Sequence, residues 1–442
     1  MPEVSANALI ITPLPRRNLG ASERAACRPP ACILYTELAD HADPCTGGLA
    51  DRVIPARLDE RHILPLAMFF GSFSWSFVYI SLPFHIHRIS TWDAAATLTW
   101  TGWIMGITPL ATVVTAPVWG RWAERGNPKT LYTVVQVTQG LAFLGTAAAR
   151  TLIELFLCRI VLGVTGAAST FAFVSAGRSD DPRDVRRQVA AIQSGMTIGQ
   201  VVGPLVGAIA AARLGFRASF VVGAAILFGC GALVQWGVPD AAGDRASTAG
   251  APRPDWRDVL GVAGIVLGGS TQIFFLTSIL PQVLVDLGVA EDRTLEVGGL
   301  VIFGSAVAAA LGSVLASRLA ELPERRLIPA LLVLSSLFVA ALAPVRSVWV
   351  YGALRFLQVL CVAPVFPLAV ARIAQSAGGV AIGVVNSARI GAAFIGPVLA
   401  TTLLAWAAPG ALYAALALIG VACVPLARAA RAKPVYPARG YK

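Results

Sequence analysis

Three arginines stand inside long apolar runs, where a charge needs a physical reason. Arg159 sits in Leu157-Cys158-Arg159-Ile160-Val161, Arg355 in Ala353-Leu354-Arg355-Phe356-Leu357, and Arg389 in Ser387-Ala388-Arg389-Ile390. A guanidinium at membrane depth costs several kcal/mol unless it is paired or hydrated, so such a residue is expected to face a bundle interior or a wet cavity. For Arg159 the competing expectation is a side chain that snorkels to the surface, because it lies only about two turns from the expected start of its helix. Arg389 has Asn386 one turn away and no acid near it in the sequence. An anionic substrate, a distant acid or a water-filled cavity must then meet it. The acids nearest the apolar runs are Glu154, Asp286 and Glu296, all close to expected helix ends. Gln193, Gln200, Gln272 and Gln358 add neutral polar groups that could line a cavity or bond a neighbouring helix. Trp75 and Tyr79 offer flat surfaces, either to a lipophilic substrate or to the membrane interface.

The elements that must position these residues are membrane-spanning helices. The chain has 442 residues, 56% hydrophobic and only 13% charged, with a mean hydropathy of +0.70. Water cannot be its main solvent. At about 20 apolar residues per span, the apolar part has room for roughly a dozen spans with short loops. The expected fold is all-α, with twelve transmembrane helices over 63–87, 96–119, 130–148, 152–177, 189–212, 217–237, 258–285, 295–316, 327–344, 347–372, 379–405 and 409–428. These divide into an N-terminal six-helix bundle over 62–237 and a C-terminal one over 258–428, joined by a charged linker over 238–257. Residues 1–61, with paired prolines and no sustained period, are expected to be a disordered tail, and 429–442 a second, shorter one.

Lys and Arg favour the loops and adjoining helix ends on the linker side, fourteen against six on the other side without the termini. The positive-inside rule makes that side cytoplasmic, with both termini on it, in an inner (plasma) membrane. The same rule accounts for the net charge of +11, since the basic residues are scattered between apolar runs and form no stripe suited to nucleic acid. The seven cysteines show no CxxC spacing, and four lie inside apolar segments as small fillers. There is no phosphate-binding loop, nucleotide fold, metal-ligand cluster or catalytic triad. No cofactor, no metal and no enzymatic activity are expected.

The two halves also match each other. Arg159 and Arg355 each lie near the outer start of the fourth helix of their half, and Gly203-Pro204 and Gly396-Pro397 each lie within the fifth. Internal duplication of this kind puts a substrate site between the repeats, near the bilayer midplane.

Between the second and third helices runs Gly120-Arg121-Trp122-Ala123-Glu124-Arg125-Gly126-Asn127-Pro128-Lys129. It resembles the signature loop of the major facilitator superfamily, with Glu124 for the usual Asp and Asn127-Pro128 for the usual Gly-Arg. The resemblance implies a conformational latch made by Gly120, Glu124, Arg125 and Lys129. A weaker second copy reads Ser317-Arg318-Leu319-Ala320-Glu321. The segment around Arg159 resembles the family's fourth-helix motif, which implies a role in proton coupling. Glu154, about one turn before Arg159, is the candidate acid partner, because the first helix lacks the embedded acid that many drug exporters of the family carry. Gly195, Gly199, Gly203 and Gly207 form a small-residue face interrupted by Pro204. Gly199, Gly203, Pro204 and Gly207 resemble the antiporter motif, which points to export.

The expected substrate cavity takes Trp75, Tyr79, Gln200, Gln272, Gln358, Asn386 and Arg389. The resemblance over 63–428 implies a 12-helix drug/proton antiporter type, a monomer that exports a small organic compound, drug-like or a secreted metabolite such as a siderophore, against inward proton flow. Its partners would be that substrate, protons and the lipid bilayer. The alternatives are proton-coupled uptake of a sugar, organic acid or other nutrient on the same fold, and a membrane receptor or enzyme, which would need a constellation or attached domain the sequence does not show.

Overall fold

The computed structural model describes residues 60–176, 182–238, 255–319, 324–374 and 379–429. Nearly all of the expected N-terminal tail, most of the linker, Ala320 and Glu321 of the second signature copy, and the C-terminal tail after 429 lie outside them. So do the side chains of Glu124 and Arg125, whose backbone is helical.

Among the described residues there is no strand. The first half comprises α1 (Glu60–Tyr79), α2 (Leu82–Ile89), α3 (Ala94–Arg125), α4 (Pro128–Ala148), α5 (Leu152–Val164), α6 (Ala168–Ala176), α7 (Pro182–Leu214) and α8 (Phe216–Gly237). The second comprises α9 (Trp256–Phe274), α10 (Leu276–Asp286), α11 (Thr294–Leu319), α12 (Glu324–Ala341), α13 (Val348–Val362), α14 (Val365–Ala374), α15 (Gly379–Trp406) and α16 (Pro409–Ala429). Among the described residues ten helical segments are long and apolar enough to cross a membrane. The third rod of each half falls outside that set: α4 carries Gln136 and Gln139 within its span, and the apolar stretch of α12 is only Arg326–Ala341.

The sequence places the helix ends. Asp93, Asn127, Thr151 and Asp255 each accept a backbone N–H of the first turn of α3, α4, α5 and α9, so an otherwise unpaired donor is satisfied at each start. Gly215, at φ 86°, turns the chain between α7 and α8 in a conformation that favours glycine.

Four of the expected spans are broken rods, and the breaks obey the repeat. They fall at α1/α2, α5/α6, α9/α10 and α13/α14, the first and fourth rods of each half. Pro83 and Pro364 lack the N–H that would continue their turns. In the fourth rod Thr165 Oγ1 turns back onto the Val161 carbonyl at 2.8 Å, and Gly166 N donates to Gly163 O at 3.0 Å. At Phe275 the carbonyls just before the break are taken by Arg355, as described below.

The small-residue face of α7 lies on α1. A methyl group added at Gly199 would meet the backbone of Phe69 and Phe73, one at Gly203 that of Phe73 and Phe77, and one at Gly207 the Phe77 carbonyl. This seam is internal to the first half. The halves meet along α3 with α15, where Gly102 faces Thr401 and Gly106 packs on Phe394, and along α7 with α11, where Ala208 faces Gly299.

Among the described residues the buried apolar cores join the halves at one end only. At the end away from the linker a single core holds Ile80, Leu98, Ala208 and Ala211 of the first half together with Phe275, Leu280, Val301, Ala400 and Tyr413 of the second. At the linker end each half keeps its own core, around Ile63, Tyr132, Phe171 and Val234 in one and around Val259, Leu332, Val365 and Ala427 in the other. Gly120 and Gly383, near the linker ends of α3 and α15, face open space. Among the described residues the halves share a sealing core at the far end and keep separate cores at the linker end.

Candidate functional site

Just beneath the seal, between the halves, lies a cavity of about 150 Å³ lined by Trp75, Ser76, Tyr79, Ile80, Pro204, Thr277 and Ile302. The first five come from α1, the α1/α2 break and α7, and the last two from α10 and α11, so neither half encloses it alone. Trp75 is fixed from behind: its Nε1 donates to Gln139 Oε1 at 3.1 Å, and Gln139 Nε2 donates to the Thr165 carbonyl at 2.6 Å, at the break in the fourth rod.

Arg159 is 2% exposed, so it does not snorkel. Its guanidinium carbon lies 5.7 Å from the Trp75 ring centre and 6.0 Å from that of Tyr79, the two aromatic residues of the cavity wall. Its Nε is buried without a hydrogen-bond partner. The backbone of Arg159 is held by α3, whose Thr108 Oγ1 donates to the Arg159 carbonyl at 2.9 Å. Contact with aromatic faces is attractive for a desolvated cation but leaves its N–H donors unused.

Arg355, its repeat counterpart, is 1% exposed and differently employed. Its Nη1 donates to the Gln272 carbonyl at 2.8 Å and to Gln358 Oε1, its Nη2 donates to the Ile273 carbonyl at 2.6 Å, and its guanidinium carbon lies 4.9 Å from the Phe275 ring centre. A neutral network continues outward. Gln358 Nε2 donates to Ser335 Oγ at 3.0 Å, Ser335 Oγ donates to Gln272 Oε1 at 2.7 Å, and Gln272 Nε2 donates to Ser336 Oγ at 3.1 Å and to the Leu416 carbonyl at 2.9 Å. Arg355 therefore closes the break in the seventh rod.

The remaining expected site residues separate into groups. Gln272 and Gln358 are fully buried in the Arg355 network and do not line the cavity, because their amides are consumed there. Gln200 and Asn386 are exposed. Arg389 is half-buried on α15, with Nε donating to Asn386 Oδ1 at 3.4 Å and its guanidinium 5.3 Å from the Phe366 ring centre. Glu154 is not brought to Arg159. It is exposed at the start of α5 and its Oε2 accepts the Arg150 N–H at 2.7 Å, a helix-end role set by its place three residues after Thr151. In the signature loop α3 runs on to Arg125, and Asn127 Oδ1 accepts the Lys129 N–H at 3.0 Å, capping α4. Gly199, Gly203 and Gly207 serve the α1 seam, while Pro204 reaches the cavity.

Sequence reasoning missed Gln139, Ser335 and Ser336. Gln139 was visible as an amide in an apolar run; small hydroxyls give no such signal, because in any helix they can satisfy themselves on the preceding turn.

A bundle of related halves, joined at one end over a shared cavity with a buried cation beside it, defines a multi-pass membrane transporter. The chain belongs to the Major Facilitator Superfamily, whose family model matches residues 64–298. It is 28% identical to the MFS-type transporter YuxJ of Bacillus subtilis (strain 168) over 179 residues, which is 40% of this chain and 45% of that protein, so the match spans under half of the relative. Among solved structures it is similar to a bacterial homologue of the human lysosomal transporter Spinster in an inward-facing and occupied conformation, with TM-score 0.63, 15% identity, 83% of this chain and 93% of that one. It is also similar to the nucleoside transporter NupG, with TM-score 0.66, 12% identity, 84% of this chain and 99% of that one. At such identities the likeness concerns the fold.

Proposed function

We propose that this transporter exports a small organic compound, drug-like or a secreted metabolite, in exchange for protons, with the bundles 62–237 and 258–428 rocking so that the cavity opens alternately to the two sides. One observation carries the alternation: the halves share a core at the end away from the linker and keep separate cores at the linker end, with the cavity just below the seal. The excess of Lys and Arg on the linker side makes the divided end cytoplasmic and the seal the outer gate, which is the state that loads an export substrate from the cell interior. The exchange for protons rests on the resemblance of the Arg159 segment and of the Gly199–Gly207 face to the family's coupling and antiporter motifs. In this reading the Gly120–Lys129 segment is the inner latch.

The test is a compound screen in everted membrane vesicles with an acidic lumen, followed with a pH-sensitive dye. An exported compound added outside enters the lumen and releases dye quenching in step with its accumulation. Accumulation that occurs only in right-side-out vesicles would make the protein an importer.

The seal supplies a further expected result. Phe394 lies where a side chain at Gly106 would go, so Gly106→Leu overpacks the contact between α3 and α15. Overpacking costs about 1–3 kcal/mol, and here the cost falls on the outward-closed state, a shift of roughly 5- to 150-fold in the opening equilibrium. Spin labels at the far ends of α3 and α15 should report a longer-distance population in the variant; an unchanged distribution would show that this contact does not gate.

A further inference from the structure

Every Asp and Glu among the described residues stands at a helix end. Glu60 and Glu324 begin α1 and α12, and Asp93 and Asp255 cap α3 and α9. Glu154, Asp184, Asp258 and Glu296 are third in α5, α7, α9 and α11, Glu124 is next to last in α3, and Asp286 closes α10. Glu291 and Asp292 lie in the short turn before α11. The interiors of the rods carry Arg159, Arg355 and Arg389, and no carboxylate to balance them.

Of these three cations only Arg355 has its terminal nitrogens taken up by the protein, by two backbone carbonyls and Gln358. The Arg159 guanidinium makes no hydrogen bond to a described residue; it rests near the Trp75 and Tyr79 rings, and those rings form the cavity wall. Among the described residues Arg389 bonds Asn386 alone, through Nε. It stands about 15 Å along α15 from the linker end, on the approach from the divided side. A desolvated guanidinium with unused donors, not balanced by any acid among the described residues, attracts a bound anion of carboxylate or sulfonate geometry. The rest of the wall is Ile80, Pro204, Ile302 and aromatic carbon, with Ser76 and Thr277 as its small hydroxyl residues, and this mainly apolar lining suits a flat apolar body better than a bare inorganic ion.

We infer that the substrate of this cavity is an organic anion, a flat apolar body bearing one carboxylate or sulfonate, and that Arg159 receives its charged group. This rests on the cavity being the transport site, yet it concerns equilibrium binding and so is independent of direction and of proton coupling.

The experiment uses the whole protein in lipid nanodiscs without a gradient, and three isosteric probes: 1-naphthoate, its methyl ester and 1-naphthylmethylamine. Binding is read by calorimetric titration. Naphthoate should bind at least about tenfold more tightly than the ester or the amine. Arg159→Gln should erase that preference, while Arg159→Lys retains part of it. Equal binding of the three probes, tighter binding of the amine, absence of binding by all three, or a preference untouched in Arg159→Gln would each overturn the assignment. The comparison of probes on the unmodified protein stands even if the Gln variant fails to fold. A protein that binds naphthoate through Arg159 but imports it, or moves it without protons, would refute the export reading and leave the anion site intact.

Discussion

Arg355→Met should yield much less folded, inserted protein, and what can be purified should melt roughly 5–10 °C lower than the wild type. The substitution keeps the volume and removes the donors. The Gln272 and Ile273 carbonyls and Gln358 Oε1 are then left in a dry interior where no helix turn can take them, since the chain breaks at Phe275. Each unpaired buried acceptor costs about 1–3 kcal/mol, and the stacking on Phe275 at 4.9 Å is lost as well. The three acceptors together come to about 3–9 kcal/mol, a large share of what holds a bundle together. Arg355→Lys keeps the charge without the fork and should fall between the two, because one ammonium cannot reach both carbonyls and the amide in the same geometry. Thermal unfolding followed in detergent decides the matter: a Met variant as stable as the wild type would remove Arg355 from its place as the closure of the seventh rod.

How much of this was legible in the sequence depends on the kind of signal. Apolar run length is a strong one, since backbone polar groups in lipid must be satisfied within a helix. The expected spans therefore coincide closely with the rods, as 217–237 does with α8 and 409–428 with α16. The breaks were not legible as such. Pro83 and Pro364 were visible, but proline is tolerated in many membrane helices, and the break at Phe275 depends on an arginine more than 80 residues later drawing off two carbonyls. The duplication in sequence paired Arg159 with Arg355 by position, and the two do different work. Their difference lies in what the first and seventh rods present to them, aromatic faces in one case and freed carbonyls in the other. Gln272 and Gln358 show the same limit: an amide in an apolar run marks a buried polar contact, yet only the packing of α9, α12 and α13 decides whether that contact is substrate or protein. Glu154 was a matter of helical phase. Its neighbour Thr151 makes it part of a helix start, and a residue so committed faces away from Arg159.

Arg159→Ala should abolish substrate-driven proton movement in everted vesicles while the protein still inserts and folds. The contrast with Arg355 follows from their contacts, because the Arg159 side chain satisfies no buried carbonyl and its removal orphans no acceptor among the described residues. What is lost to the fold is proximity to Trp75 and Tyr79, worth about 1–2 kcal/mol at a desolvated site, and the wall itself survives because Gln139 continues to hold Trp75. What is lost to transport is the one guanidinium among the described residues that lies beside the cavity wall with donors to spare, and a charge-assisted contact from it to an anionic substrate is worth about 1.5–3 kcal/mol at each encounter. Since that contact is needed each time the halves pass from one closure to the other, the cycle should stall with the cavity unloaded, and the dye response should match that of vesicles without the protein. Size-exclusion profiles like the wild type, together with a flat dye trace, are the expected pair. A folded Arg159→Ala protein that exports at the normal rate would place both coupling and recognition elsewhere, with Arg389 the next residue to vary because it alone of the interior cations would remain unassigned.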